Sequence, residues 1–469
     1  MRKQYDVVIV GAGPAGIFAS LELMDKKPGV NVLLVDQGRS LTNRTCPART
    51  LGKCVDCKPC AIMNGWSGAG AFSDGKLSLS HEVGGNITDY MPPHEAQALI
   101  DYADSIYTKF GAPETVHGRN NPKVGEIAYE ASRYNIHLVR CPVRHMGTEY
   151  SASTLQNMYD ALVKMEGFTF METTSARKII VENGRATGVT LQTAKGETFE
   201  VEAGKIVLAP GRGGAAWLAQ EAARLGVETR NNEVDIGVRV EVPNSIMDHL
   251  TQELYEAKLV YYSDTFENRV RTFCMNPGGI VSEEHYEGGI AVVNGHSYHE
   301  QERRTQNTNF ALLVSTRFTQ PFNAPIQYGN YIAQLGNMLT GGGIMVQRLG
   351  DLLQGRRTDA SRLRKSTTEP TLNTAVPGDL SFVLPHRHLT SIIESLRAFD
   401  HIAPGLYSKN TLLYGVEVKF YSSKVTVDNR FQTAIEGLYA IGDGAGITRG
   451  LMQASVTGVV VARDIVEKA

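Results

Sequence analysis

The chain has 469 residues, 42% of them hydrophobic, and a formal net charge of −2. That is too long for one core and apolar enough for a large interior, so two domains, which can interleave in sequence, are expected. The near-neutral balance disfavours nucleic acid as a partner, and no apolar run approaches the length of a membrane span.

Arg2 and Lys3 precede an apolar run, as in a secretory leader. Gly and Pro interrupt that run, and Glu22 and Asp25 follow soon after, so the segment reads as a first βαβ unit. A cytoplasmic protein is expected, with its six cysteines as thiols, metal ligands or redox groups.

Val7 to Val10 reads as a strand buried on both faces. The chain turns at Gly11 and Gly13, and Pro14 suits the first turn of a helix expected over Ala15 to Met24. A second strand, Asn31 to Val35, ends at Asp36. Strand, G-x-G-x-x-G, helix, strand and acid make a dinucleotide fingerprint in its whole context. Gly11 allows the tight turn, Gly13 lets backbone approach a pyrophosphate, and Gly16 lets helix and strand pack closely. The helix N-terminus attracts phosphate charge, and Asp36 stands where an acid accepts from a ribose hydroxyl.

Residues Gly38 to Cys60 are irregular and rich in Arg, Cys and Pro. Within them Cys46, Cys54, Cys57 and Cys60 have the spacing C-x7-C-x2-C-x2-C. An iron–sulfur cluster or a tetrathiolate zinc would use all four, with Cys46-Pro47 as the remote ligand. A redox dithiol and plain loop thiols are the competing readings.

Gly65 to Lys76 is dense in glycine and small residues, as backbone packed against something flat would be. Helices are expected over His94 to Phe110, Gly125 to Tyr134 and Thr154 to Met165, the last capped by Ser153. A β-meander is expected over Phe168 to Met171, Arg177 to Glu182 and Gly188 to Thr193, with Asn183-Gly184 as a hairpin turn. Lys205 to Ala209 is a further buried strand ending in Ala209-Pro210-Gly211. From Asp235 to about Ser408 strands such as Gly237 to Val242 and Gly289 to Val293 mix with helices such as Tyr331 to Leu339. The tail returns to the opening style, with a strand ending in Gly442-Asp443 and a helix over Leu451 to Glu467.

That tail helps to separate FAD from NAD. It places a carboxylate beside a helix N-terminus, where Asp443 can accept from a ribityl chain and the dipole can stabilise negative charge on a reduced flavin ring. The fingerprint at Gly11, Gly13 and Gly16, the strand end at Gly211 and the Thr433 to Asp443 segment together resemble the glutathione-reductase-like FAD superfamily. More narrowly, Gly68 to Leu77, Arg271 to Gly279, Thr411 to Gly415 and Gly442 to Leu451 resemble a bacterial family of FAD-dependent dehydrogenases of unassigned substrate. The resemblance spans nearly the whole chain. It implies FAD and an α/β fold, a Rossmann-like FAD-binding domain (parallel sheet with β-meander) interleaved with a mixed α+β substrate domain. Expected boundaries are 1–85 for the first part of the FAD domain, 86–150 for a helical insertion, 151–230 for the second part, 231–408 for the substrate domain and 409–469 for the third part. Expected FAD contacts are Gly11, Gly13, Pro14, Ala15, Gly16, Asp36, Gly68, Gly70, Asp74, Gly75, Lys76, Ala209, Gly211, Gly442, Asp443, Gly450 and Leu451. The superfamily often has Glu where Asp36 stands, and Thr where Pro210 stands.

Disulfide reductases of that superfamily carry a cysteine pair beyond the fingerprint, here Cys54/Cys57, and a C-terminal histidine as base. The last histidine is His401, outside the C-terminal flavin segment, which weakens that reading. A second glycine pattern, Gly211-x-Gly213-x-x-Ala216, reads as the return strand under FAD rather than as a separate NAD(P) site. NAD(P)H as a transient donor, or a ferredoxin-like protein, would supply electrons. Arg271, Cys274, His296, Tyr414, Lys419, Tyr421 and Arg449 are the candidate anchors or proton donors, and no single catalytic residue is singled out. The expected activity is an FAD-dependent oxidoreductase acting on a small organic substrate. A thiol–disulfide oxidoreductase and a low-turnover flavin sensor or assembly factor are the alternatives.

Overall fold

The computed structural model describes residues 3–47, 50, 55, 57–73, 75–286, 289–298, 301–319, 321–322 and 324–468. The chain divides into unit 1, Met1–Thr115, Arg144–Asn232 and Tyr421–Ala469, and unit 2, Val116–Val143 and Glu233–Phe420.

Unit 1 is built on a seven-stranded α/β sheet. Its parallel part runs Phe168–Met171, Val32–Val35, Gln4–Val10 and Thr198–Leu208, with Leu438–Ala440 also parallel to the last of these. Val7, Val8 and Ile9 are wholly buried, as consecutive residues are in a central parallel strand covered on both faces. The strand Thr198–Leu208 serves two purposes. Its first half pairs antiparallel with Arg185–Thr193, and its second half lies beside the first strand. The meander is therefore Thr174–Glu182, Arg185–Thr193 and Thr198–Leu208, joined first by the Asn183-Gly184 turn. Phe168–Met171 is not its first strand: it extends the parallel sheet as the neighbour of Val32–Val35.

The helix Pro14–Lys26 packs along the last helix, Leu451–Glu467. Gly458 permits the contact, since a Cβ there would lie 2.2 Å from the Ala15 carbonyl oxygen. The helix Pro93–Lys109 joins them through Tyr107, whose hydroxyl meets Ser455 Oγ at 3.0 Å. A further helix spans Gly147–Leu162, so Ser153 lies inside it rather than capping it. The Ser153 hydroxyl donates back to the Tyr150 carbonyl at 3.2 Å, the local bond a mid-helix serine makes.

Unit 2 carries an eight-stranded sheet. From edge to edge its strands are Val376–Pro377, Met345–Arg348, Leu412–Lys419, Val234–Pro243, Asn307–Thr316, Arg269–Asn276, Lys258–Tyr262 and His137–Val139. Alternation along the central strands gives the sheet two unlike faces. Ile236, Val238, Val240, Phe310, Leu312 and Val314 form one hydrophobic core with Leu250, Ile392 and Phe399 from helices Asn244–Leu254 and His386–Phe399. Asp235, Arg239, Glu241, Asn309 and Glu417 alternate with those residues and are buried too. The units divide after Asn232 and after Phe420, and the strand Leu412–Lys419 is laddered between two strands of unit 2. The stretch expected as one insertion, 86–150, is shared: Val116–Val143 groups with unit 2 and the remainder with unit 1. Among the described residues no helix is long and apolar enough to cross a membrane.

Candidate dinucleotide site

The glycines of the opening fingerprint have three different surroundings. Gly11 has φ +107°, and a Cβ there would lie 2.0 Å from the Ala209 carbonyl oxygen. A Cβ on Gly16 would lie 2.0 Å from the Gly11 carbonyl oxygen. Both are held by close packing of backbone on backbone. Gly13 is ordinary extended backbone, and a Cβ there would meet nothing within 4 Å. Gly13 is thus free of any packing demand from the protein, as a glycine facing a ligand would be. It also caps the helix Pro14–Lys26 with no side-chain hydrogen bond, which leaves the first-turn N–H groups available to an anion. Gly211, with φ +62°, is open in the same way.

Asp36 is more heavily engaged than its place in the motif suggests. Its Oδ2 accepts from Ala12 N at 2.9 Å, and its Oδ1 from Gly38 N at 2.8 Å and Gly65 N at 2.7 Å. A carboxylate has about four acceptor positions. Three are spent on fastening the fingerprint turn, the end of the second strand and the glycine-rich segment to one another.

That segment has a second fastener which sequence reasoning missed. Arg44 is buried and donates to the carbonyls of Ala61 at 3.0 Å, Ile62 at 2.6 Å and Trp66 at 2.5 Å, with its guanidinium 4.7 Å from the Phe72 ring centre. Burial lowers its pKa to about 10, against the opposing fields of Asp36 and Cys60. Its only sequence signal is an arginine in an irregular run. Gly68–Phe72 forms a short 3-10 helix, and a Cβ on Gly68 would stand 3.6 Å from Gly13 Cα. A Cβ on Gly70 would lie 2.7 Å from Leu451 Cδ2 and 3.9 Å from Pro14 Cγ.

The tail closes on the same region. Gly442 has φ +74°, and its Cβ would stand 3.2 Å from that of Ala15. A Cβ on Gly444 would lie 2.4 Å from the Gly211 carbonyl oxygen. Thr448 Oγ1 donates to Asp443 Oδ1 at 2.7 Å. Burial raises the Asp443 pKa, opposed by Arg212, by the Thr448 and Gly450 hydrogen bonds and by Arg449. Gly11, Gly13, Pro14, Ala15, Gly16, Gly68, Gly70, Gly211, Gly442, Asp443, Gly450 and Leu451 thus belong to one region of unit 1. Ala209 supports the fingerprint turn from below, and Gly75 packs on Met146 and Ser151. Lys76 opens the short strand Lys76–Ser78, and Asp74 lies outside the described residues.

Of the cysteine cluster, Cys46 is buried, Cys57 and Cys60 are half-buried, and Cys54 lies outside the described residues. Among the described residues no group of three or more His, Cys, Asp or Glu side chains is placed to hold a metal ion.

The substrate-side candidates of unit 2 are engaged with protein groups. Arg271 pairs with Asp235, and Tyr414 donates to buried Glu241 at 2.5 Å. Lys419 lies 3.1 Å from Glu417 and 3.9 Å from Glu284. Burial alone would lower the Lys419 pKa, but those carboxylates raise it above the usual lysine value. Cys274 belongs to the strand Arg269–Asn276. It is half-exposed, with φ +38°, where the pairing of Arg269–Asn276 with Asn307–Thr316 shifts register. Its carbonyl accepts from Arg239 Nη1 and Asn276 Nδ2, each at 3.2 Å. Arg239, hidden from sequence reading among the valines of its strand, is wholly buried and bidentate to Glu417 at 2.9 and 3.0 Å. His296 is exposed at the end of its strand. Tyr421, in unit 1, lies under Arg449 at 3.8 Å.

Comparison with known proteins adds the cofactor. Residues 94–233 match the family model described as FAD binding domain, and residues 233–420 match that described as FAD-dependent protein, C-terminal domain-like. A protein of Clostridium beijerinckii, described as uncharacterized, is 27% identical over 480 residues, covering 98% of this chain and 80% of its own. Among solved structures, E. coli quinol fumarate reductase is 14% identical with a TM-score of 0.45, over 100% of this chain and 71% of its own. Glycine oxidase from Bacillus cereus is 14% identical with a TM-score of 0.40, over 99% and 96%. Pyridoxine 4-oxidase from Mesorbium loti is 13% identical with a TM-score of 0.42, over 98% and 99%. Likenesses this loose carry no argument about activity. The family matches support a flavoprotein and do not single out the glutathione-reductase-like superfamily. The two matches give FAD as the cofactor.

Proposed function

We propose that unit 1 holds FAD against Gly11–Gly16, Gly68–Gly70, Gly211 and Gly442–Gly450, and that the enzyme moves electrons between a reduced donor and a small organic substrate. Reduction of an activated C=C bond, or the reverse dehydrogenation, is the reaction we assign first. The observation that carries the placement is the contrast among glycines: Gly11, Gly16 and Gly444 are filled by protein backbone, whereas Gly13 and Gly211 are open. Bound there, FAD would supply hydride or electron exchange.

The protein's own groups would do the rest. The uncapped start of Pro14–Lys26 attracts the pyrophosphate. The acceptor position left on Asp36 takes a ribose hydroxyl, and Asp443 takes a hydroxyl of the ribityl chain. A reducing compartment such as the cytoplasm suits a chain in which, among the described residues, Cys46, Cys57, Cys60 and Cys274 form no disulfide. NAD(P)H, docking transiently, is the proposed donor.

The test is an anaerobic titration followed by substrate addition. NADH or NADPH should bleach the flavin absorbance, and an alkene conjugated to a carbonyl or carboxylate should restore it. Bleaching that no such alkene reverses would overturn the substrate class. Failure of both nicotinamides at millimolar levels would overturn the donor.

A further inference from the structure

Three guanidiniums of unit 2 meet one buried carboxylate. Asp351 Oδ1 accepts from Arg356 Nε at 2.8 Å and from Arg362 Nη1 at 3.5 Å, and its Oδ2 lies 3.9 Å from Arg348 Nη1. Buried Thr358 also donates to Oδ2, at 2.9 Å. Asp359, 3.6 Å from Arg362 Nε, is the one other acid between residues 348 and 365. Against these two stand Arg348, Arg356, Arg357, Arg362, Arg364 and Lys365, so the stretch is net +4 in a chain that is net −2. Asp379, which Gln347 links to this segment, engages its Oδ1 with the N–H and hydroxyl of Ser381 at 3.0 and 2.7 Å.

The arginines are held from behind. Arg348 N donates to Thr358 Oγ1 at 3.0 Å, its Nη1 to the Arg362 carbonyl at 3.0 Å and its Nη2 to Asn410 Oδ1 at 3.3 Å. Arg362 Nη1 also donates to the Arg357 carbonyl at 3.3 Å. Arg348 Nε is buried and has no hydrogen-bond partner among the described residues. An unpaired buried donor on a charged group is costly, and in a native fold it marks a position that a ligand or an ordered water fills.

We infer that Arg348, Arg356 and Arg362 form a binding site for a phosphate dianion. Such a group carries about 1.5–2 negative charges at neutral pH and three acceptor oxygens. Guanidinium forks pair with those oxygens two bonds at a time. Arg356 and Arg362, with side chains 52% and 36% exposed, give access from solvent, and Arg348, at 11%, gives a fixed base. The donors are already positioned by the bonds behind them, so little side-chain freedom is lost on binding. The site belongs to unit 2 and stands independently of where FAD is held. Its ligand is either the free phosphate ion or a phosphate carried on a nucleotide.

The probes are inorganic phosphate, adenosine 2′-monophosphate and adenosine, titrated calorimetrically into the full chain supplied with FAD. Wild type should bind phosphate saturably at millimolar levels or below, and Arg356→Gln and Arg362→Gln should each weaken that binding about tenfold. Lys195→Gln, at an exposed position of unit 1, should leave it unchanged. Adenosine 2′-monophosphate binding more tightly than phosphate, with adenosine alone silent, would make a nucleotide the source, and equal affinities would make it the free ion. Phenylglyoxal, which modifies arginine, gives a second reading on wild type that no misfolded variant can confuse. Phosphate should slow its reaction at Arg356 and Arg362, followed by mass spectrometry, and not at exposed Arg430. No saturable binding at millimolar levels, or reaction at Arg356 and Arg362 that phosphate does not slow, would overturn the inference. So would binding that both arginine variants keep in full, or that Lys195→Gln weakens as much as they do.

Discussion

Asp36 Oδ2 accepts the backbone N–H of Ala12 at 2.9 Å, across 24 residues of chain. The acid at the end of the second strand thus grips the turn of the fingerprint directly. Its other oxygen grips Gly38 and Gly65. The residue assigned to a ribose is therefore also the staple that shapes the cradle.

Asp36→Ala should consequently destabilise the protein before any cofactor is considered. Three backbone donors lose a charged acceptor, and a cost of about 2–4 kcal/mol is expected for this half-buried group. Urea unfolding of the flavin-free protein measures it. If Asp36 served the ribose alone, that protein would be as stable as wild type and only FAD affinity would fall.

Two glycine substitutions should separate cofactor binding from folding. Gly13→Ala meets nothing within 4 Å, so the flavin-free protein should unfold at the same denaturant concentration or slightly higher, while FAD retention falls. Gly458→Ala puts a Cβ 2.2 Å from the Ala15 carbonyl oxygen and should cost about 1–3 kcal/mol with or without flavin. Equal destabilisation by both would remove the distinction between open and filled glycines.

Buried His388 gives unit 2 an acid limit. Its Nε2 meets Thr316 Oγ1 at 2.9 Å, and burial, then Arg387, lowers its pKa from 6.5 to about 4. The unfolded chain therefore binds a proton between these values that the folded chain refuses. The stabilisation is fully present above pH 6.5 and is lost as the pH falls towards 4, by about 3 kcal/mol at 1.36 kcal/mol per pKa unit. His388→Gln should flatten the fall in stability over that window. An undiminished slope would assign the acid sensitivity elsewhere.

Glu417 holds Arg239 at 2.9 Å and Lys419 at 3.1 Å, and the Arg239 and Glu417 side chains are fully buried. Glu417→Gln leaves both cations without their central partner and should cost about 3–5 kcal/mol. Arg239→Met combined with Glu417→Gln should recover part of that, because the cation left unpaired is removed with it. Additive losses in a double-mutant cycle would mean that the two side chains do not act as a pair.

What the sequence made legible was whatever is written in neighbouring residues. Val7 to Asp36 showed its strand, turn, helix and strand because apolar run, glycines, Pro14 and acid follow one another within a single βαβ unit. The Gly442-Asp443 strand end and the last helix were legible for the same reason. The rest depends on partners far apart in the chain. Arg44 reaches Trp66, Arg239 reaches Glu417, and the second duty of Asp36 is to backbone N–H groups that no motif marks. Phe168–Met171 looked like part of the meander because a short apolar strand does not reveal which neighbour it pairs with. Ser153 looked like a cap because a serine before an apolar run carries the same signature inside a helix that has already begun.

The cradle itself is tested most directly by the cofactor recovered from the purified protein. Wild type, reconstituted with FAD, desalted and then denatured by heat, should release about one FAD per chain, identified by chromatography. Gly13→Val, with the same circular dichroism, should release almost none. A wild type that retains no FAD, or a Gly13→Val variant that retains as much as wild type, would contradict the account.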